Sequence, residues 1–311
     1  MNKMKNKIAI GIDVGGSHIS SALVDLISLT IIPDTKYSVK VDNKASKEKI
    51  LLNWSEAINK TLESISVDAA ISIGFAMPGP FQYKTGLAMF AGNDKYENLY
   101  NVSIPDELVK YLSFKNVEMR FLNDATSFGV GVSSIGKAKK FSKTIAVTLG
   151  TGFGSAFIKD GIPQVNSNDV PEGGCLWDKP YKDGIGDDYF STRWCIKRYR
   201  ELASKEVHGV KEIAEANDEN SKIVFTEFGS NMAEFMIPFL KKYQPDIIIL
   251  GGNVSLAHNF FLPTLKQKIK EAGLKIEFEI SPLMEDAAII GSAKLFDSNF
   301  WSHVKNDLPN L

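Results

Sequence analysis

At 311 residues, 44% of them hydrophobic, the chain carries enough apolar side chains for two cores, since single cores stop growing near roughly 250 to 300 residues. Its 36 basic and 37 acidic side chains leave a formal charge of −1, which excludes partners held by bulk electrostatics: no nucleic acid and no membrane surface is expected. Two cysteines, Cys175 and Cys195, exclude a disulfide scaffold and point to free thiols in a reducing, cytoplasmic setting, and no segment approaches the ~20 apolar residues of a membrane span.

Residues 7–14, KIAIGIDV, are apolar and end in Gly15-Gly16, which predicts a strand and a tight turn, with HISSALVDL as the returning strand. A third apolar stretch near Leu29–Ile32 extends this hairpin toward a meander. Apolar positions at helical spacing follow between Ser46 and Ile65, at Ile50, Leu51, Trp54, Ile58 and Leu62. AAISIGFAMPGP reads as a buried strand running into a Gly/Pro loop that can continue neither helix nor ladder. VEMRFLND is another strand with a polar end, and ATSFGVGVSSIG is helix-like despite its glycines.

At Lys143 the plan of residues 7–26 restarts, because TIAVTLGTGFGSAFIKDG is again strand, glycine turn, strand; two copies of one plan point to an internal duplication. A polar loop from Gly161 to Gly186, helical stretches from about Asp188 to Lys242, the apolar PDIIILGGNVS, a short strand KIEFEIS and a final helix from Glu285 complete the chain. Strands alternating with helices predict an α/β architecture whose sheets are covered on both faces.

Three glycine turns each follow an apolar strand: Asp13-Val14-Gly15-Gly16-Ser17, Gly150-Thr151-Gly152-Phe153-Gly154 and Gly251-Gly252-Asn253. Glycine lets backbone N–H groups converge without a Cβ in the way, and such nests hold phosphate oxygens, although any one of these turns alone is more often an ordinary hairpin tip. Neither G-x-x-x-x-G-K-[ST] nor a GxGxxG that opens a helix with an acid ~20 residues on is present, so neither a P-loop nor a dinucleotide fingerprint is supported.

The set GIDVGGSHISSALVDL, GFAMPGP, FLNDATSFGVG, TLGTGFGSAFIKDG, VKEIAEANDENSKIVFTEFG and PDIIILGGNVS resembles, in order and over nearly the whole chain, the ROK family of repressors and sugar kinases in the actin and hexokinase superfamily. The resemblance implies two actin-like, ribonuclease H-like α/β domains, each on a mixed five-stranded sheet, with ATP and a sugar meeting in the cleft between them. The expected boundaries are 1–123 and 124–289, with a C-terminal helix over 290–311 returning to the first domain. Repressor members carry an N-terminal helix-turn-helix, for which Gly11-Ile12-Asp13 starts too early, so the kinase branch is expected. A homodimer is implied as well.

Carried onto this sequence, the resemblance makes Asp124 the general base that takes the proton of the attacking sugar hydroxyl, with Asn123 a sugar ligand beside it. The bland alternative is that both cap the following helix. Asp13 resembles the aspartate that helps hold Mg²⁺, often through water, against the alternative of a strand-end turn former. Gly15, Gly16, Ser17, Thr151 and Gly152 are then phosphate-binding, Gly251 and Gly252 lie on the adenosine side, and Gly79 and Asn93 resemble sugar-contacting loop positions.

The sequence departs from the family at Pro171-Glu172-Gly173-Gly174-Cys175, where the usual pattern is Glu-x-Gly-His. Glu172 keeps its place as a sugar ligand while Cys175 stands where histidine is usual. A Cys₃His zinc site needs three thiolates and the chain has two, so no zinc is expected. Asp187 falls where a second sugar-binding glutamate would sit, with Asp188 one residue off, and helix capping is the competing reading for both. Trp177, Trp194 and Tyr181 are candidates to stack on a pyranose, or core aromatics. The expected activity is ATP-dependent phosphorylation of a hexose or N-acetylhexosamine hydroxyl, O6 foremost. A non-catalytic sugar sensor, and the same chemistry with polyphosphate as donor, are the alternatives.

Overall fold

The computed structural model describes residues 8–63, 71–92 and 95–308. The described chain divides into two units, one ending at Ile135 and resuming at Glu285, the other spanning Gly136–Met284.

In the first unit, β1 (Ile8–Val14) pairs antiparallel with β2 (His18–Asp25) and parallel with β5 (Ile71–Met77), which pairs parallel with β8 (Val117–Asn123). Two short strands, β3 (Thr30–Ile31) and β4 (Tyr37–Lys40), both lie along the outer edge of β2. The expected five-stranded sheet therefore has six strands: β3 pairs with Val24 and Asp25, while β4 takes the other half of the same edge, from His18 to Ser21. The sequence had suggested only the first of these, since β4 alternates half-buried and exposed residues and carries no apolar run. A small hairpin, β6 (Phe81–Gln82) with β7 (Leu87–Ala88), follows the Gly/Pro loop.

Helix α1 (Lys47–Leu62) begins where Ser46 accepts a hydrogen bond from the Lys49 amide, and its five stripe residues from Ile50 to Leu62 are all buried. A short α2 (Ile104–Leu108) precedes β8, and α3 (Asp124–Ile135) follows it directly. Helix α9 (Glu285–Ala293) packs against β1, β5 and α3, and α10 (Ser298–Val304) ends the described chain. Backbone meets backbone around α9: a Cβ on Gly11 or Gly74 would lie 2.0 Å from the carbonyl oxygen of Ile289 or Ser292, and one on Gly291 would lie 1.9 Å from that of Ser127. Only glycine allows this approach. Helix α3 thus belongs to the first unit through α9, and the boundary falls after Ile135 rather than after Asn123.

The second unit repeats the plan. Strand β9 (Lys143–Leu149) pairs antiparallel with β10 (Phe153–Lys159) and parallel with β14 (Ile247–Gly251), which pairs parallel with β15 (Glu277–Ile280), while β11 (Ile162–Pro163) edges β10. The strand orders β3-β2-β1-β5-β8 and β11-β10-β9-β14-β15 are the same topology, which accords with duplication. The loop between β11 and the helices carries a two-strand ribbon, β12 (Pro180–Tyr181) and β13 (Gly184–Ile185).

Helices α4 (Gly186–Tyr189), α5 (Thr192–Ala203), α6 (Val210–Ala216) and α7 (Glu219–Tyr243) follow the ribbon. The core is rich in aromatics, with Phe153, Phe190 and Phe235 in mutual ring contact, and Arg198 on α5 forks onto Glu227 of α7 at 2.7 and 2.8 Å. Helix α8 (His258–Glu271) was not foreseen; Pro263 inside it reads as a breaker, yet Phe261, Leu262, Leu265 and Ile269 form a buried stripe. No helix among the described residues is long and apolar enough to cross a membrane.

Candidate functional site

Register places the first cluster. Asp13 pairs with Ala76, and Ala76 with Leu122, so Asp13 and Asp124 emerge at the carboxyl ends of strands two positions apart in one parallel set. Asp124 opens α3, where its Oδ1 accepts from the Ala125 amide at 2.8 Å and from Asn123 Nδ2 at 3.0 Å. Oδ2 has no hydrogen-bond partner among the described residues. Burial raises the carboxyl above its ordinary range, against the Ala125 amide and the positive charge of Lys95. Asn123 does cap: its Oδ1 accepts from the Thr126 amide at 3.1 Å, and its Nδ2 also reaches the Tyr83 hydroxyl at 3.2 Å. The cap holds the amide of Asn123 and leaves one oxygen of Asp124 open.

Asp13 makes no side-chain hydrogen bond among the described residues. Its carboxyl is pushed up to about 8, first by burial and then by the charges of Asp124 and Glu285, which Lys36 only partly offsets. A turn former would be bonded to its own loop; this carboxyl group is left without a hydrogen-bond partner among the described residues. Among the described residues no group of three or more His, Cys, Asp or Glu side chains could hold a metal by itself. One or two carboxylates completed by phosphate oxygens and water is, however, the habit of Mg²⁺, so Asp13 fits that ion.

The Gly15-Gly16 turn is oriented by its carbonyls. Tyr96 donates its hydroxyl to the Gly15 oxygen at 2.6 Å, Asn43 Nδ2 donates to the Gly16 oxygen, and the Tyr96 amide is itself held by Asn43 at 3.0 Å. Gly15 N–H returns to His18, whereas the amides of Gly16 and Ser17 donate to no backbone carbonyl among the described residues. Gly79 is exposed near Tyr83, and Asn93 lies outside the described residues.

Sequence reasoning missed the charged groups that gather here. The stem of Lys95 passes over Gly16, with Cε 3.6 Å from where a Cβ would stand, and its charge acts on Asp124. Lys36 pairs with Glu285 and Asp286 at 2.6 Å each, and His18 Nε2 meets Glu285 at 3.1 Å. Burial pushes Glu285 up, but these bonds win and hold it below the usual range. Lys36 and Glu285 are too far apart in sequence for any spacing rule to connect them.

The second unit holds the other candidates. Thr151 is exposed, Gly150 N–H closes onto Gly152 at 3.0 Å, and the Gly252 backbone lies against that of Leu149, so the two glycine turns adjoin. Glu172 is exposed in the Gly/Pro loop. Cys175 is half-buried and its thiol points to Asp178 Oδ1 at 3.8 Å; burial, then the Asp178 charge, pushes it up to about 11. Asp187 is bonded to the amide of Phe153 and to Arg193, and Asp188 caps its own helix by accepting from the Ile185 amide at 3.0 Å. Tyr181 is buried among Phe190 and Phe235, Trp194 packs on Phe228, and Trp177 is 45% exposed, the one aromatic of the three with an open face.

The sequence pattern of the ROK family matches residues 9–299. A glucokinase from Thermotoga maritima is 26% identical, with 92% of this chain and 96% of that protein covered. An N-acetyl-D-glucosamine kinase from Haemophilus influenzae is also 26% identical, over 79% of this chain and 84% of its own. The crystal structure of a ROK family glucokinase from Streptomyces griseus in complex with glucose and AMPPNP superposes with a TM-score of 0.69 at 20% identity, covering 93% of this chain and 98% of that one.

Proposed function

Since the chain belongs to the ROK family, we propose that it is a sugar kinase that transfers the γ-phosphoryl group of ATP to a hydroxyl of a hexose or N-acetylhexosamine, O6 foremost. The observation that carries the reading is the pair Asp124 and Asp13: one carboxylate fixed by a single oxygen with the other open, and one carboxylate without any bonded partner among the described residues.

Asp124 Oδ2 accepts the proton of the sugar hydroxyl as that oxygen attacks phosphorus, and its raised proton affinity suits a base that must take a proton in the transition state. Asn123, Gly79, Asn93, Glu172 and Cys175 hold the sugar. In the turn that Gly15 closes onto His18, Gly16 and Ser17 offer amides to phosphate oxygens, as do Thr151 and Gly152, with Gly251 and Gly252 on the adenosine side. Asp13 would hold Mg²⁺, whose charge, when bound, neutralises the phosphate oxygens. Lys95, beside both the glycine turn and the base, adds a second positive charge where negative charge develops.

The test is release of ADP from Mg·ATP, coupled to a dye, across glucose, mannose, N-acetylglucosamine and N-acetylmannosamine. Sugar-dependent ADP release is expected with at least one of them. Sugar binding without turnover, or turnover with polyphosphate and none with ATP, would overturn the assignment.

A further inference from the structure

Asp187 sits where sugar-contacting glutamates were expected, but both of its oxygens are engaged elsewhere. Oδ1 accepts from the Phe153 amide at 2.6 Å, and Oδ2 from Arg193 Nη2 at 2.6 Å. Phe153 is the residue on which the turn Gly150-Thr151-Gly152 closes, since Leu149 pairs with it. Three more bonds tie residues 176–192 to that hairpin and to one another: Thr192 N–H to the Gly150 oxygen at 2.8 Å, Leu176 N–H to Ser155 Oγ at 2.9 Å, and Asp187 N–H to the Trp177 oxygen at 2.9 Å. The side chain is about a quarter exposed, at 26%. A Cβ on Gly152 would stand 2.7 Å from Asp187 Oδ1, so the turn and the carboxylate are fitted to one another.

From this geometry we propose that Asp187 is a positioning residue of the phosphate-binding turn and not a sugar ligand. The inference rests on the kinase reading above, and specifically on Thr151 and Gly152 taking phosphate. A short charge-assisted bond at the first residue of β10 fixes the plane of the peptide that ends the turn, and Thr192 holds the carbonyl that begins it. With both ends fixed, the turn amides keep one direction. A carboxylate beside a phosphate site would ordinarily repel the ligand; Arg193 neutralises it and faces solvent with 60% of its side chain exposed.

The two roles predict different losses. Removing a sugar ligand weakens sugar binding, whereas removing the brace weakens nucleotide binding and leaves sugar affinity in place. Calorimetric titration of the whole protein with Mg·AMPPNP, and separately with glucose and N-acetylglucosamine, reads both. In Asp187→Ala, affinity for Mg·AMPPNP should fall about tenfold or more, in the range for loss of a charge-assisted hydrogen bond, with sugar affinity within about twofold of wild type. Gly152→Ala should produce a similar nucleotide loss. Because its Cβ collides only when Asp187 is present, the double variant should bind nucleotide no worse than Gly152→Ala alone.

A general loss of structure would lower both affinities and would not give that non-additivity. Should Asp187→Ala fail to fold, Asp187→Asn keeps an acceptor for the Phe153 amide, and it should bind nucleotide within about fivefold of wild type. If the wild type binds both ligands and the variants lose sugar affinity while keeping nucleotide affinity, or if the two substitutions are additive, this proposal falls and the kinase reading stands. If the wild type binds sugar but no Mg·AMPPNP, both fall together.

Discussion

The hairpin β1–β2 and the hairpin β9–β10 are built alike and charged differently. Each has an antiparallel return across a glycine turn and a parallel neighbour on the other side. In the first, Asp13 pairs across to Ser20 and sideways to Ala76; in the second, the matching position is Thr148, between Gly154 and Gly251. Around Asp13 gather Asp124, Glu285 and Lys36, whereas the second turn has the ion pair Asp187–Arg193, whose carboxylate is turned onto the Phe153 amide while its guanidinium faces solvent. The comparison teaches how a duplicated scaffold divides labour. One copy keeps under-satisfied carboxyl groups at the strand ends, as the proposed chemistry requires; the other satisfies its groups internally, as the proposed phosphate grip requires.

The largest expected effect tests whether chemistry belongs to the first copy. Asp124→Asn keeps the Oδ1 acceptor for the Ala125 amide and removes the base, so turnover should fall by a factor on the order of 10² to 10⁴ with sugar affinity largely retained. Steady-state kinetics beside sugar titration checks this. Turnover near wild type would move the base elsewhere and break the comparison at its centre.

The next effect concerns Asp13, and its sign is fixed by linkage. The folded carboxyl titrates near 8 against an ordinary 3.8, so the folded state holds this proton more tightly than the unfolded chain does. The stability it confers is complete below about pH 4 and is lost as pH rises through about 8. Without Mg²⁺, Asp13→Asn should therefore be the more stable protein at pH 8, by on the order of 2 kcal/mol after allowance for solvent screening, and equal to wild type at pH 4. The same variant should bind Mg·AMPPNP at least about tenfold more weakly. Parallel curves of Tm against pH for the two proteins would show that Asp13 carries no such strain.

How much of this could be read beforehand follows from what is local. The five-residue stripe of α1, the glycine tips and the restart at Lys143 are patterns of period and turn, and they were legible. Asp13 and Asp124 stood out as carboxylates at the ends of apolar runs. The cap at Asn123 was legible only as one of two competing readings, because a cap and a ligand use the same residue type. Edge strand β4, helix α8 and the return of α3 to the first unit depend on partners distant in sequence, or, for α8, on a proline tolerated inside a helix. The Lys36–Glu285 pair and Lys95 are of the same kind: lone charges in polar surroundings, given meaning only by the fold.

Lys95 sharpens the comparison at smaller scale, because the side chain nearest a Cβ on Gly16 is this lysine, whereas the one nearest a Cβ on Gly152 is the carboxylate of Asp187. Lys95→Met removes the charge that opposes the upward push on Asp124, so the acid limb of the rate profile should move to higher pH and kcat should fall about tenfold, with the sugar KM within about threefold. Lys95→Arg should recover most of the rate. A change confined to sugar KM would make Lys95 an acceptor-side residue instead.

The smallest effect is asked of the position that matches Asp13 in the second copy. Thr148 is half-buried between β10 and β14, and its backbone is paired with Gly154 and Gly251, so a valine of the same shape fits the strand without disturbing either ladder. The hydroxyl is uncharged, and a hydrogen bond through it to a phosphate would contribute only about 1 kcal/mol net. Thr148→Val should therefore leave kcat within about threefold and Tm nearly unchanged, where Asp13→Asn alters metal-dependent binding and the pH course of stability together. That asymmetry is what the comparison requires of equivalent strand ends. If Thr148→Val costs as much as Asp13→Asn in Mg·AMPPNP affinity, the second turn is a chemical partner of the first and not its uncharged counterpart, and the division of labour between the copies is wrong.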